Sequence, residues 1–258
     1  MSAGAAPTGG IATVIIAKDA AATLERCVRS CLPFSDEVVL VDSGSTDGTP
    51  ALAGQLGCRV VEHEWLGYGR QRNFAAVQAA GDWVFVIDVD EEVDPELGAA
   101  LGALTPSVLG FAGAYAVRRV NSFMGAWLTE SPEKVVRLYD RRRHGYVESI
   151  VHEVIDVEDL EATAELPGRI WHENHTDLVD ATTRLNRYTT LEADRDAAVR
   201  PMRLWRLFLR PLLRFGQRYV LQRAFRHGWR GLFLALHWTY WEVMREMKVY
   251  ERHRRLGG

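Results

Sequence analysis

Trp83-Val84-Phe85-Val86-Ile87 is an unbroken run of aromatic and β-branched residues. Apolar residues without alternation predict a strand covered on both faces rather than one half-open to water. Two runs of the same kind come earlier, Ile11-Ala12-Thr13-Val14-Ile15-Ile16-Ala17 and Glu37-Val38-Val39-Leu40-Val41. Arg59-Val60-Val61-Glu62 adds a short fourth strand. Between them lie stretches of helical spacing: residues 20–32, with Leu24, Cys27, Val28 and Cys31 on one face and Pro33 as the stop, and residues 68–80. Strand and helix alternate four times through short connections. That order predicts an α/β fold, a mostly parallel, Rossmann-like central sheet flanked by helices and wound by right-handed crossovers.

In such sheets ligands lie beyond the carboxyl ends of the strands. Here those ends are polar. Lys18-Asp19 follows the first strand, Asp42-Ser43-Gly44-Ser45-Thr46-Asp47 the second, and Asp88-Val89-Asp90-Glu91-Glu92 the run at 83–87. Four acids within five positions at the end of a buried strand need positive charge nearby, because close carboxylates repel and desolvation is costly. A divalent cation with a phosphorylated ligand meets that need, since hard cations take carboxylate oxygens and bridge phosphates. Asp94-Pro95 reads separately, as an N-cap followed by proline in the first helical turn. Gly67-Tyr68-Gly69-Arg70-Gln71-Arg72-Asn73 places two arginines at a helix start, which suits a phosphate or a nucleobase. Neither a P-loop nor a Gly-x-Gly-x-x-Gly turn is present.

Charge divides the chain. From Arg200 onward 13 Arg and one Lys face three Glu, a net of about +11, while the rest carries about −14. Residues 177–199 show helical spacing, and Arg200-Pro201 ends that helix. In residues 202–213 Leu, Trp and Phe interleave with Arg203, Arg206 and Arg210, the make-up of a helix lying in a membrane interface. Residues 228–250 add Trp229, Trp238, Tyr240 and Trp241, which suit headgroup depth. The expected partner of 200–258 is therefore an anionic membrane surface, and nucleic acid is not expected. No stretch reaches the roughly 20 apolar residues of a spanning helix, and the first ten residues read as a flexible N-terminus without a signal-peptide pattern. Cys27, Cys31 and Cys58 lack metal-ligand spacing and suit a reduced setting. The expected location is cytoplasmic, peripheral on the inner face of the cell membrane.

With these residues in view, the chain resembles the family 2 glycosyltransferases of the GT-A fold, more narrowly the lipopolysaccharide-core β-glucosyltransferase branch. The resemblance is carried by Val39 through Thr49, Glu64 through Asn73, Gly81 through Glu92, Arg137-Leu138-Tyr139, Val151-His152-Glu153 and Leu185-Asn186-Arg187-Tyr188. It implies a GT-A catalytic domain over 11–176, with a nucleotide-sugar half at 11–105 and an acceptor half at 106–176, followed by a helical, basic extension at 177–258. It further implies inverting transfer of a hexose from a UDP-sugar to a lipid-linked glycan or cell-envelope acceptor, assisted by Mg2+ or Mn2+. Asp42 would contact the nucleobase, with Asp19 standing where the family has Glu after Asn. Arg72 would hold the position of the family's basic residue before Asn73. Asp88 would touch the nucleoside ribose or a water beyond the metal's own ligands, and Asp90 would bind the metal with His172 completing the site.

Two segments depart from the family pattern: Ile16-Ala17-Lys18-Asp19 replaces a Thr-x-Asn-Glu-like stretch, and residues 127–133 lack the usual Gly-Gly-Trp-rich character. Inversion requires a base within hydrogen-bond reach of the acceptor hydroxyl. Glu153 is the leading candidate, because an acid between the apolar pairs Ile150-Val151 and Val154-Ile155 is readily tuned toward a base. His152, Glu148, Glu130 and Glu133 are the others. A nucleotidyltransferase also uses a nucleotide, a metal and an acidic strand end, but the segment 11–20 lacks its basic Gly-rich loop. A catalytically degenerate scaffold that docks on membranes is the alternative outside enzymes.

Overall fold

The computed structural model describes residues 10–109, 112–130, 132–147, 154–160, 163–173, 178–199 and 203–256. The chain divides into two compact units. One holds Met1–Arg119, Glu133–Ser149 and Glu153–His172, and the other holds Val120–Pro132, Ile150–His152 and Glu173–Gly258.

The first unit is built on the apolar runs. Strands β1 (Ile11–Ala17), β2 (Glu37–Asp42), β3 (Arg59–Glu62) and β4 (Trp83–Asp88) pair in parallel in the order β3-β2-β1-β4. Period-two alternation sends their side chains to two separate cores. Ile15, Leu40, Phe85 and Ile87 face one core together with Leu24, Cys27 and Val28 of α1 (Ala21–Cys31). Val14, Val39, Val84 and Val86 face the other, with Ala75 and Ala76 of α3 (Tyr68–Gln78). Helix α2 (Thr49–Gln55) follows the loop after β2. The α/β class expected from sequence is the one observed.

Beyond β4 the sheet turns antiparallel, which the apolar runs did not reveal. β8 (Glu133–Asp140) pairs with β4 and with β6 (Ala114–Phe123), and β9 (Glu165–His172) pairs with the short β5 (Glu91–Val93). Asp94 caps α4 (Pro95–Gly102) as expected, accepting from the Leu97 N–H at 2.8 Å. A single turn, α5 (Pro106–Leu109), precedes β6.

In the second unit β7 (Ala126–Trp127) closes a hairpin on the end of β6. Three helices follow: α6 (Leu178–Val199), α7 (Leu204–Gly216) and α8 (Gly228–Leu256). A π-helical turn (Gln217–Leu221) and a 3-10 turn (Ala224–His227) link the last two. Among the described residues no helix is long and apolar enough to cross a membrane.

The helix expected at 202–213 forms, with its two faces reversed from the usual arrangement. Arg210 and Arg214 point inward to Glu246 (3.5 Å) and Glu242 (2.9 Å) of α8, and the Trp/Phe/Leu face lies outward. Arg210 and Arg214 of the basic stripe are thus paired with buried acids.

Candidate active site

Parallel register brings three strand ends to one rim. Ala17 of β1 lies opposite Asp42, and Ile16 lies opposite Asp88. The loop after β2 is tied down by its own acids. Buried Asp42 accepts the N–H groups of Gly44 (3.0 Å) and Ser45 (2.9 Å) and the Ser45 hydroxyl. Gly44 sits at φ +83°, a left-handed conformation that side chains disfavour. Asp19, at φ +49°, accepts from the Thr46 N–H at 2.7 Å, and its own N–H donates to Ser45 Oγ at 2.8 Å. Asp47 takes the Thr49 hydroxyl at 2.5 Å and the Ala21 N–H, at the start of α1, at 2.9 Å. Those bonds, the Thr49 hydroxyl first, hold its carboxyl below the usual range. The rim is therefore set before any ligand arrives.

The acids after β4 take separate partners. Asp88 is clamped between Arg72 (2.6 Å) and Arg137 (3.1 Å). Fully buried Glu91 takes Arg137 at 2.5 Å and Arg119 at 3.4 Å, and it also accepts the Asp88 N–H at 3.0 Å. Arg119 reaches on to Glu133 at 2.6 Å. Three guanidiniums thus balance three carboxylates, the condition under which buried charges persist. Burial opposes the charge on Asp88, but Arg72 and then Arg137 outweigh it and hold its carboxyl far below the usual range. Arg137 is likewise held charged: burial opposes it, while Glu91 and Asp88 more than offset that cost.

Arg72 is wedged between the rings of Tyr146 (5.2 Å) and Tyr68 (5.7 Å). Neighbouring residues of α3 hold it there. Asn73 exchanges two hydrogen bonds with the Tyr146 backbone, at 2.9 and 2.8 Å, while buried Gln71 bonds Ser43 Oγ and the Leu66 N–H. Glu92 goes to Arg26 at 3.5 Å.

Asp90 is different. It lies in the turn between β4 and β5, about a third exposed, and meets no arginine among the described residues. The antiparallel register of β5 and β9 sets His172 opposite Glu91, which brings His172 Nε2 to 3.5 Å from Asp90 Oδ2. One carboxylate oxygen and one imidazole nitrogen at this spacing suit two positions of a divalent cation. Among the described residues no group of three or more His, Cys, Asp or Glu side chains could hold a metal. Protein ligands among the described residues would thus fill only part of a coordination sphere.

The structure brings Asp19, Asp42, Arg72, Asp88, Asp90 and His172 into the first unit, with Asp19 bonded to the Asp42 loop, Arg72 to Asp88, and Asp90 beside His172. Glu153, His152 and Glu148 lie outside the described residues. Of the remaining base candidates, Glu133 is engaged by Arg119 and Glu130 by Arg226 at 3.0 Å. Sequence reasoning missed Glu91, Arg119 and Arg137 as a unit. Its one available signal was Arg137 itself, a lone cation among Val135, Val136, Leu138 and Tyr139.

Comparison with known proteins identifies the family. The family model described as Glycosyl transferase family 2 matches residues 13–151. The lipopolysaccharide core biosynthesis glycosyltransferase LpsC of Rhizobium meliloti is 31% identical over 259 residues, covering 94% of this chain and 93% of that protein. An uncharacterized glycosyltransferase of Rickettsia felis is 27% identical, covering 93% of this chain and 89% of its own length. Among solved structures, glucosyl-3-phosphoglycerate synthase from Mycobacterium tuberculosis, in complex with Mn2+, UDP and glucosyl-3-phosphoglycerate, is 28% identical with a TM-score of 0.36. That match covers 46% of this chain, which spans less than half of the solved one (45%). With the family model matched over more than half its length and LpsC over nearly all of it, the chain belongs to glycosyl transferase family 2.

Proposed function

We propose that this family 2 glycosyltransferase transfers a hexose, with inversion, from a UDP-sugar to a lipid-linked glycan of the cell envelope. The observation that carries the donor reading is the division of acids after β4. Arginines neutralise Asp88 and Glu91, while Asp90 stays about a third exposed beside His172. The likeness to LpsC supports an acceptor of the lipopolysaccharide-core type. Residues 11–105 form the nucleotide-sugar half, 106–176 the acceptor half, and 177–258 the extension that works at an anionic membrane surface, on the cytoplasmic side.

Asp42 and Asp19 contact the nucleobase from a rim that their own hydrogen bonds tie down. Asp88, clamped by Arg72 and Arg137, offers its free lone pairs to the ribose. Asp90 and His172 would hold Mg2+ or Mn2+, and the ion would supply charge neutralisation for the diphosphate leaving group. Glu153 accepts the proton of the acceptor hydroxyl as the new glycosidic bond forms.

Release of UDP from a panel of UDP-sugars, with and without Mn2+, tests this reading. One sugar should be turned over in a metal-dependent way, and Asp90→Asn should abolish turnover without altering the melting curve. Absence of turnover with every UDP-sugar, or near-normal turnover by Asp90→Asn in EDTA, would sink it. Glu153→Gln should lower turnover strongly while sparing donor binding, and unchanged turnover would remove Glu153 as the base.

A further inference from the structure

A surface helix ordinarily hides its apolar stripe and shows its charges. Helix α7 does the reverse. Trp205, Phe208, Leu209, Leu212 and Leu213 recur at helical spacing on one face, and that face is open, with Phe208 68%, Leu212 70% and Leu213 62% exposed. The opposite face carries Arg210 and Arg214, which go to Glu246 and Glu242 of α8. Those acids are buried, and Arg245 of α8 joins them while reaching Glu192 (3.6 Å) and Asp196 (3.9 Å) of α6. The charges between these helices hold α7 with its apolar side out. The open surface continues through Val220 and Leu221 of the π-helical turn, Leu221 being 78% exposed, and on to Phe225 and Trp229. A continuous ridge of large apolar side chains is more than a soluble monomer normally leaves in water.

Charge identifies the occupant. Between Asp196 and Glu242 the sequence holds nine arginines and no acid. A second copy docking this face on itself would bring like charges together, whereas anionic headgroups complement them. Arg203, just before the ridge in sequence, and Arg223, within it, are both exposed, and Trp205 and Trp229 are of the type that settles at headgroup depth.

We infer that the outward face of α7, with the π-helical turn after it, inserts into the headgroup–acyl boundary of an anionic bilayer. The inference rests on the membrane setting proposed above and deepens it: apolar insertion carries most of the binding, because Arg210 and Arg214 are committed to α8. Headgroup attraction through Arg203 and Arg223 adds a smaller part.

Co-sedimentation of the full chain with phosphatidylcholine vesicles holding about 30 mol% phosphatidylglycerol tests this without reference to turnover, so failure here would leave the transferase reading standing. The wild type should bind. Raising salt to about 0.5 M should weaken binding only a few-fold. The double variant Phe208→Gln/Leu212→Gln, both side chains being exposed, should keep its helical circular dichroism and lose at least about tenfold in partition. Arg203→Gln/Arg223→Gln should lose only a few-fold. Binding by Phe208→Gln/Leu212→Gln within about twofold of wild type would overturn the inference. So would a wild type that ignores vesicles and forms a dimer which that double variant dissolves.

Discussion

Replacing Arg137 with methionine would keep most of the side chain's volume and remove the cation that Asp88 and Glu91 share, at 3.1 and 2.5 Å. Three carboxylates, those of Asp88, Glu91 and Glu133, would then face the two guanidiniums of Arg72 and Arg119. Breaking a buried pair by deleting one partner costs about 3–5 kcal/mol, because the charge left behind is neither solvated nor paired. With a urea dependence of roughly 2–3 kcal/mol per molar, the midpoint should fall by about 1–2.5 M. The pH profile gives a sharper test. In the wild type the folded pKa of Asp88 is depressed, so its stabilisation is complete above its unfolded value of about 3.9. That contribution is lost only as pH falls toward the folded pKa, so it is flat between about pH 5 and 8. In the variant the excess negative charge favours uptake of one proton on folding. When the folded state binds one proton more than the unfolded state, stability falls by about 1.4 kcal/mol per pH unit as pH rises. The variant should therefore be least stable near pH 8 and partly recover near pH 5. A urea midpoint within about 0.3 M of wild type, with no slope over this range, would refute the claim that this ion cluster holds the strand end.

Three further outcomes follow from particular contacts. Asn73→Ala strands the Tyr146 N–H and carbonyl, which now bond the amide at 2.8 and 2.9 Å, and should cost about 1–3 kcal/mol in urea unfolding. An unchanged midpoint would mean that water replaces both bonds. Gly168→Ala would place a Cβ 2.2 Å from the Leu97 nitrogen at φ +83°, pushing β9 against the capped start of α4; a loss of at least about 2 kcal/mol is expected, and a neutral result would refute the close approach. Cys27, Cys31 and Cys58 are buried; a hydrogen bond to Cys31 and then burial push the Cys27 thiol up, and burial raises Cys58 to about 11. All three should resist a disulfide reagent near pH 8 in the native protein and react on denaturation, whereas rapid native labelling would contradict the packing.

Much of the first unit was legible because its signals are local. Doubly buried strands announce themselves as unbroken apolar runs, and β1 and β3 occupy the stretches read from sequence. The Asp94-Pro95 cap is equally local. The antiparallel half was not legible, since β8 reaches β4 from some fifty residues away and no local pattern records that pairing.

The acid cluster shows the same limit. Its demand for positive charge was readable, but a cation was the only partner sequence suggested. The structure meets that demand at Asp88 and Glu91 with Arg72, Arg119 and Arg137, brought in from α3, β6 and β8. In α7 the spacing showed two faces. Which face is open depends on Glu242 and Glu246, about thirty residues on, and so could not be read from α7 alone.

Titration of Mn2+ by electron paramagnetic resonance, with and without UDP, tests the assignment of Asp90 and His172 most directly. With two protein ligands and the remaining positions left to diphosphate and water, the wild type should bind one Mn2+ tightly only when UDP is present. Asp90→Asn should weaken that binding at least about tenfold, and His172→Ala should weaken it by a smaller factor. Equal Mn2+ binding by the wild type and Asp90→Asn in the presence of UDP would contradict the account.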